Sequence, residues 1–335
     1  MERAFVTGGS GFLGGYLIEA LTARGVAVRA LARSEGSAAA VTRRGAKPVS
    51  GDIHGPHALR DGMTGCDVVF HCAARLGQVG KLEDFVRDNV DGTQAVLDAT
   101  RSAGVARFVH VSTEAVLAAG RPLVDVDETV PRPPDACRPY GYTKGLAEER
   151  VLAADGDGLA TVIVRPRLIW GRGDTTLLPT LVDAARSGRF AWFAGGHYLT
   201  STCHVRNVVA GMLLAAERGR GAGIYFLTDG PPSEFRDFIG EMIRTQGAEP
   251  GDRSIPLAVA RALAAGAELA WRALPLKGEP PLTRTTIALA AQQVTVVDRR
   301  AREELGYDPP VSREQGMAEL RADAPSSSPA APAAG

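Results

Sequence analysis

Tyr140 and Lys144 are the two residues whose types and spacing best support proton-transfer chemistry. They are four residues apart, so on a helix both side chains point to the same face, and the helix formers at 145–152 predict that helix. A phenol with its usual pKa of about 10 is a useful acid near neutral pH only after roughly 4 kcal/mol of differential stabilisation. A neighbouring ammonium favours the phenolate. The pair could therefore supply the proton that a ketone oxygen needs during reduction by hydride.

A hydroxyl at the end of the strand predicted for 107–112 could orient that ketone oxygen. Ser112 and Thr113 both provide one. By itself a tyrosine–lysine pair at this spacing is also typical of an exposed surface helix. The prediction of a catalytic pair therefore depends on its position after this strand. Tyr142 lacks the spacing to Lys144.

The stretch 7–14, T-G-G-S-G-F-L-G, lies between a short apolar run and an apolar-periodic segment. A glycine turn between a strand and a helix leaves backbone N–H groups free to bind a diphosphate, and the helix dipole adds to the attraction. We expect Gly8 to allow the tight turn, Gly11 the approach of a pyrophosphate, and Gly14 close helix–strand packing. The alternative is a glycine-rich turn that packs tightly and binds nothing.

The end of the second predicted strand, 26–31, bears on the choice of dinucleotide. A carboxylate there would bind the ribose 2′-hydroxyl of NAD, but this chain has Ala32, Arg33 and Ser34. Because Arg33 can pair with a 2′-phosphate, the sequence favours NADP(H), with NAD as the alternative. Glu35 adds a nearby negative charge, and Arg33 could also be an ordinary surface arginine.

Composition excludes several classes of protein. The 335 residues suffice for one large or two smaller domains. Acidic and basic residues balance at 38 each, which favours neither nucleic acid nor an anionic membrane as partner. Four scattered cysteines without a C-x-x-C pair suit a reducing cytoplasm, and the histidine spacing predicts no metal site. The first strand starts too early for a signal peptide, and no uncharged run reaches the roughly 18–20 residues of a membrane span.

With these motifs the chain resembles the extended short-chain dehydrogenase/reductases of the NAD-dependent epimerase/dehydratase superfamily over roughly residues 3–320. The segment R-P-R-L-I-W-G at 165–171 and the loop 278–284 resemble the 3β-hydroxysteroid dehydrogenase branch and the bacterial 2-alkyl-3-oxoalkanoate reductases. Leu168 is apolar where members acting on nucleotide sugars usually carry asparagine. The resemblance implies an α/β fold: a Rossmann-type doubly wound parallel sheet with a smaller C-terminal substrate-binding domain.

The resemblance also implies roles for individual residues. Thr113 rather than Ser112 would be the catalytic hydroxyl, with Tyr140 as acid/base and Lys144 as its electrostatic and ribose partner. Asp52 would bind the adenine amino group, whereas His71 is expected to be structural. The implied cofactor-binding set is Gly8, Ser10, Gly11, Phe12, Leu13, Gly14, Arg33, Asp52, Ile53, Cys72, Ala73, Ala74, Asn89, Val111, Tyr140, Lys144 and Pro166.

The same resemblance divides the chain. The expected units are a dinucleotide-binding domain of residues 1–166 and 201–229, a substrate-binding domain of 167–200 and 230–321, and a disordered Ala/Pro/Ser tail at 322–335. A homodimer through helices near 90–103 and 140–153 is expected from the family. Residues 255–276 predict an amphipathic helix, buried on one face or lying on a membrane surface, and we favour the former.

The expected function is an NADP(H)-dependent oxidoreductase that interconverts a ketone and a secondary alcohol on a hydrophobic substrate, such as a 3-oxo acyl chain or a steroid-like ring. Apolar and aromatic residues at 177–198 could line its pocket or simply form core. Two alternatives remain. A nucleotide-sugar epimerase or dehydratase is disfavoured because the active strand ends in Thr-Glu-Ala rather than Thr-Asp-Glu. A non-catalytic NADP-sensing protein would typically lack the tyrosine and lysine.

Overall fold

A computed structural model describes residues 1–77, 80–134, 136, 139–274 and 282–324. The strands in chain order are β1 Arg3–Thr7, β2 Ala27–Ala32, β3 Lys47–Ser50, β4 Val68–His71, β5 Arg107–Val111, β6 Leu123–Val126, β7 Ala160–Pro166, β8 Ile169–Trp170, β9 Trp192–Phe193, β10 Leu199–Thr200, β11 Cys203–His204, β12 Gly223–Leu227, β13 Ser233–Glu234, β14 Ser254–Ile255 and β15 Val294–Val296.

The helices enclose this framework on several sides. In chain order they are α1 Phe12–Ala23, α2 Glu35–Arg43, α3 Pro56–Met63, α4 Leu82–Phe85, α5 Gly92–Ser102, α6 Tyr140–Ala153, α7 Leu177–Arg186, α8 Val205–Arg218, α9 Phe235–Thr245, α10 Leu257–Ala273, α11 Arg284–Ala290 and α12 Arg313–Ala322. Two π-helical turns, Val86–Asp91 and Ala301–Leu305, and two 3₁₀ turns, Glu114–Leu117 and Ala194–Gly196, complete the set. No helix in the described part of the chain is long and apolar enough to cross a membrane.

The main sheet has seven parallel strands in the order β12-β7-β5-β4-β1-β2-β3. The chain runs outward from β1 to β3 and then crosses back to place β4 on the other side of β1. The order therefore reverses between β1 and β4, and ligands of such sheets bind beside the carboxyl ends of the strands at that point. This topology confirms the predicted doubly wound α/β fold.

Apolar side chains cover both faces of the main sheet, which is why its strands are almost continuously apolar. On one face Leu17 and Ile18 of α1 join Met212 of α8 in a single buried cluster. On the other, Leu97 of α5 packs with Phe108 of β5. The two layers of helices hold the carboxyl ends of β1, β4 and β5 at one edge.

A second group of elements extends from that edge. It contains the four-stranded sheet β13-β10-β15-β6 and a separate core around Trp170, Trp192 and Phe238. Leu305 and Tyr307, predicted to lie in the substrate-binding part, pack instead into the cluster that contains α1 and α8. The division into two domains stays a prediction, and this contact bears on where its boundary runs.

Local predictions differ from the structure mainly at element ends. The strands predicted for 26–31 and 107–112 are β2 Ala27–Ala32 and β5 Arg107–Val111. Strand β4 ends at His71, which leaves the small residues after it in the connecting segment. Asn89 lies inside a helical stretch that begins at Leu82. The helix predicted at 255–276 is α10, and a capping box of Ser312 and Gln315 begins α12. Most of loop 278–284 and tail residues 325–335 lie outside the described residues.

Candidate active site

The glycine turn packs against the exit of β4. Gly8 has a left-handed φ of +70°, and a Cβ there would lie 2.7 Å from the backbone nitrogen of Ala73. A Cβ on Gly14 would collide with the carbonyl oxygen of Gly8. Glycine is therefore required at both positions, and the start of α1 is held directly against the turn.

The first turn of α1 is open to a ligand. Its N-cap is Gly11, which offers no side-chain cap, and the turn contains no acidic residue. Its backbone N–H groups and the positive end of the helix dipole are thus available to an anion. Ser10 and Gly11 are exposed, whereas Phe12 and Leu13 are half-buried. The exposed N–H groups at this turn fit the pyrophosphate of a dinucleotide. When bound, the dinucleotide supplies or accepts the hydride.

The residues predicted to bind adenosine lie at the ends of β2 and β3. Arg33 is exposed, and within the described ranges its guanidinium makes no ion pair or hydrogen bond. Ser34 caps α2 through a capping box with Ser37. Asp52 accepts a hydrogen bond from the backbone nitrogen of His54 at 3.0 Å, the turn role that an aspartate after a strand often takes. Its contact with adenine stays a prediction.

His71 is a buried structural residue, as expected. Its Nδ1 lies 2.7 Å from Thr7 Oγ1 and its Nε2 lies 3.0 Å from Thr93 Oγ1, so both ring nitrogens are engaged. Burial, with Lys144 nearby, lowers its pKa to about 3. It is therefore neutral at physiological pH. Burial also raises the pKa of the adjacent Cys72 to about 12 and leaves a neutral thiol directly after β4.

Asn89 connects three segments around the predicted cofactor site. Its Oδ1 accepts from the Arg75 nitrogen at 2.7 Å, and its Nδ2 donates to the Arg75 oxygen and to Thr143 Oγ1. The segment after β4 is thereby tied to α6. Thr143 could not be recognised from the sequence, because its partner is distant in the chain.

Tyr140 and Lys144 both lie on α6, which begins at Tyr140. The first turn of this helix packs directly on the 3₁₀ turn that follows Thr113. The contact is so close that a Cβ on Gly141 would collide with the carbonyl oxygen of Ala115. This contact brings the start of α6 to the carboxyl end of β5. The fold thus collects the three predicted catalytic residues from these two elements.

Lys144 is held rigidly beneath the edge of the sheet. Its side chain is only 2% exposed. Nζ donates to the Val111 carbonyl at 2.8 Å and contacts His110 Nε2 at 3.0 Å. Burial lowers its pKa to about 8, an effect that Glu148 opposes. Most Lys144 side chains therefore carry a proton at neutral pH.

The phenol of Tyr140 is half-buried and makes no hydrogen bond to any described residue. Burial, together with the charge of Glu114, raises its pKa above the ordinary value. The expectation of a pKa lowered toward neutrality is therefore not met in this structure, because burial and a neighbouring carboxylate both disfavour the phenolate. The phenol is protonated, the state in which it can donate to a carbonyl oxygen.

Thr113 is oriented by a buried carboxylate that sequence analysis did not assign to the site. Its Oγ1 donates to Glu114 Oε2 at 2.8 Å and accepts from the Ala115 nitrogen at 3.2 Å. Glu114 Oε1 in turn pairs with Arg167 at 2.6 Å, and Arg167 donates to the carbonyl of Leu289 on α11. One lone pair of Thr113 remains for a ligand. A charged residue inside an otherwise apolar run was the signal for Glu114.

The remaining predicted residues are placed around the same edge. Ile53, Ala73, Ala74 and Val111 are half-buried, and Pro166 is buried at the end of β7. Their cofactor contacts stay predictions. Of the apolar residues at 177–198, Leu178 and Trp192 belong to a core cluster, in agreement with the alternative that they form core. No group of His, Cys, Asp and Glu in the described part of the chain could hold a metal ion.

Comparison with known proteins identifies the family. The profile of the 3-beta hydroxysteroid dehydrogenase/isomerase family matches residues 5–258. The chain belongs to this family. It is an NAD(P)-dependent oxidoreductase that acts on CH–OH groups and interconverts a ketone and a secondary alcohol, as the motifs predicted.

Two relatives and one solved structure show what the chain is similar to. It is 51% identical to the 4-hydroxy-2-methyl-3-oxo-4-farnesyl-3,4-dihydroquinoline-1-oxide ketoreductase of Stigmatella aurantiaca, over 98% of this chain and 99% of that protein. It is 37% identical to a 2-alkyl-3-oxoalkanoate reductase of Stenotrophomonas maltophilia, over 96% and 98%. The structure of the dTDP-glucose 4,6-dehydratase DesIV from Streptomyces venezuelae with NAD bound matches with a TM-score of 0.75, covering 96% of each chain at 24% identity, and so shows the shared fold.

Proposed function

We propose that this protein is an NADP(H)-dependent ketoreductase of a neutral, hydrophobic ring ketone. The observation that carries the proposal is the placement of Lys144, fixed at the end of β5 one helical turn from Tyr140. Tyr140 donates its proton to the carbonyl oxygen as hydride reaches the carbon. Lys144 stabilises the phenolate that remains. Thr113, whose own proton goes to Glu114, accepts a hydrogen bond from the hydroxyl that the ketone oxygen becomes.

The charges of the buried arginines support a neutral substrate. Arg167 is paired with Glu114, and Arg165 forms two hydrogen bonds with Glu148 at 2.8 and 2.6 Å. Neither guanidinium is left to neutralise a buried substrate carboxylate. The relative of 51% identity is named for a farnesylated dihydroquinoline N-oxide ketone, which is a neutral bicyclic ring with an apolar chain. We therefore favour a prenylated ring ketone over a 3-oxo acid.

The test is a substrate screen that follows the loss of reduced cofactor. Purified protein is assayed with a farnesylated quinoline ketone, a steroid ketone, a 2-alkyl-3-oxo acid, and UDP- and dTDP-sugars. We expect kcat/KM to be at least about tenfold higher for the ring ketone than for the 3-oxo acid, equivalent to about 1.4 kcal/mol of transition-state binding. Turnover of a sugar nucleotide without turnover of the lipophilic ketones would contradict the proposal.

We further propose NADP(H) as the cofactor, on the basis of Arg33. Substitution Arg33→Ser is expected to raise KM for NADPH roughly 10- to 100-fold, since one charge-assisted contact with the 2′-phosphate is lost. KM for NADH should change little. Arg43→Ser, an exposed arginine in the last turn of α2, is the matched control and should leave both values unaltered. An equal rise in KM for NADPH and NADH would contradict a contact between Arg33 and the 2′-phosphate.

We also propose a cytoplasmic homodimer. The free thiols Cys66, Cys72 and Cys203 support a reducing compartment. Helices α5 and α6, expected to form the dimer interface, pack side by side on one face of the main sheet. Sedimentation of the purified protein tests this: a species of one chain mass at micromolar concentration would contradict the dimer.

A further inference from the structure

We propose that His110 is a positioning residue that holds the ammonium of Lys144 in place, as an obligatory hydrogen-bond acceptor. The inference deepens the proposed function and depends on the role given there to Lys144. His110 lies on β5, three residues before Thr113, and its side chain is completely buried.

The geometry leaves the lysine little freedom. Nζ has three donors and no acceptor, and two of these donors go to β5. One goes to the Val111 carbonyl at 2.8 Å and the other to His110 Nε2 at 3.0 Å. A backbone carbonyl and a ring on the same strand therefore fix the ammonium from two directions. The third donor remains for the ribose or the phenolate.

The direction of the His110 bond follows from the chemistry of the two groups. An ammonium can only donate, so Nε2 must accept and the ring proton resides on Nδ1. Burial and the charge of Lys144 keep the pKa of His110 well below its ordinary value, so the ring stays neutral. Nδ1 is buried and has no hydrogen-bond partner among the described residues. The fold thus tolerates an unsatisfied donor, which is costly, while Nε2 serves Lys144.

The neighbouring histidine cannot take over this role. His71 lies opposite His110 on β4, with the ring centroids 5.2 Å apart. Both of its nitrogens are already engaged by Thr7 and Thr93. The two buried histidines therefore differ in function. His71 links β1 to α5 through Thr7 and Thr93, whereas His110 contacts Lys144.

Loss of the acceptor has a predictable sign. A hydrogen bond to the ammonium favours the charged form and raises the lysine pKa, so its removal lowers that pKa. Lys144 would then lose its proton at a lower pH, and activity would fall at a lower pH. The other titratable groups that interact with Lys144 are Glu148 on α6, His71 at the end of β4 and Cys72 directly after it, while Tyr140 lies one helical turn earlier on α6.

The experiment compares pH profiles of kcat/KM for ketone reduction. In His110→Leu we expect the alkaline limb to move down by roughly 1 to 2 pH units, as expected from loss of a hydrogen bond to a charged group. We expect kcat to fall about tenfold, with KM for the ketone within about twofold, because the buried ring does not reach the substrate. His110→Gln can place an amide oxygen near the Nε2 position and should keep the limb within about half a unit of wild type.

Controls separate this effect from general damage. His71→Leu removes a buried histidine from the same layer and should lower stability without moving the limb. If His110→Leu does not fold, His110→Asn replaces it: its oxygen is one methylene short, so the limb should shift relative to His110→Gln. An unchanged limb in His110→Leu or His110→Asn, or equal shifts in all His110 variants and in His71→Leu, would overturn the proposal. Lys144→Met, assayed in parallel, tests the proposed function separately from the role of His110. If Lys144→Met stays fully active, the proposed function is wrong.

Discussion

Replacing Tyr140 with phenylalanine is expected to lower kcat for ketone reduction about 10²- to 10⁴-fold, the usual contribution of one positioned acid. The phenol lies one helical turn before Lys144 on α6, the spacing on which the proposed proton transfer depends. Because it makes no hydrogen bond to a described residue, its removal should leave the free energy of unfolding within about 0.5 kcal/mol of wild type. Steady-state assays with NADPH and a thermal unfolding curve measure the two quantities.

The matched control for Tyr140 is Tyr142→Phe. Tyr142 lies on the same helix two residues further on, so it faces a different direction and does not share the face of Lys144. We expect this variant to retain most of the activity. Full activity in Tyr140→Phe would instead favour the non-catalytic, cofactor-sensing alternative, provided that NADPH still binds.

The second large effect concerns stability. Arg165 and Glu148 are both buried and form a two-point ion pair. Removing one partner leaves the other charge buried and unpaired. Arg165→Met should therefore lower the free energy of unfolding by about 3–5 kcal/mol. Denaturant-induced unfolding of both proteins measures this change in the free energy of unfolding. The uncompensated Glu148 lies one helical turn from Lys144, so the alkaline limb of the activity should also shift.

Two further variants test the cause of this loss. Arg189→Met breaks an ion pair whose side chains are 70% and 73% exposed, and it should cost less than about 1 kcal/mol. The double variant Arg165→Met with Glu148→Met removes both buried charges and should recover a substantial part of the stability. If the double variant is as unstable as the sum of the two single variants, packing rather than charge would be the cause.

The buried pair Glu114–Arg167 has a different consequence. It connects Thr113 at the end of β5 with α11, through the bond from Arg167 to the Leu289 carbonyl. The orientation of the Thr113 hydroxyl therefore depends on residues that come late in the chain.

The superfamily fold is shared with enzymes of nucleotide-sugar chemistry, so the fold itself does not select the substrate. What distinguishes this chain is local. The strand end carries Thr113 followed by Glu114, and Glu114 is occupied by Arg167. Both oxygens of Glu114 are already engaged, one by Arg167 and the other by Thr113, so neither is left to act on a substrate group. This supports a simple reduction over a dehydration.

The sequence by itself determined the fold class, the glycine turn, and the helix that carries Tyr140 and Lys144. These features depend on short-range rules: the spacing of apolar residues, strand–turn–helix order, and the four-residue spacing along a helix. Gly8 and Gly14 were predicted for the right physical reasons, since each lies where a side chain would collide with backbone. The family could be recognised for the same reason, because its motifs are contiguous.

Only the tertiary structure showed which charges are buried and what they contact. His110 is 34 residues from Lys144, and Glu114 is 53 from Arg167. Such partners follow from the pairing of β4, β5 and β7 and from the packing of α6, which no local pattern encodes. The raised pKa of Tyr140 has the same origin, since desolvation depends on the whole fold. The chain's local order thus names the reactive groups, and its long-range packing sets their charges and orientations.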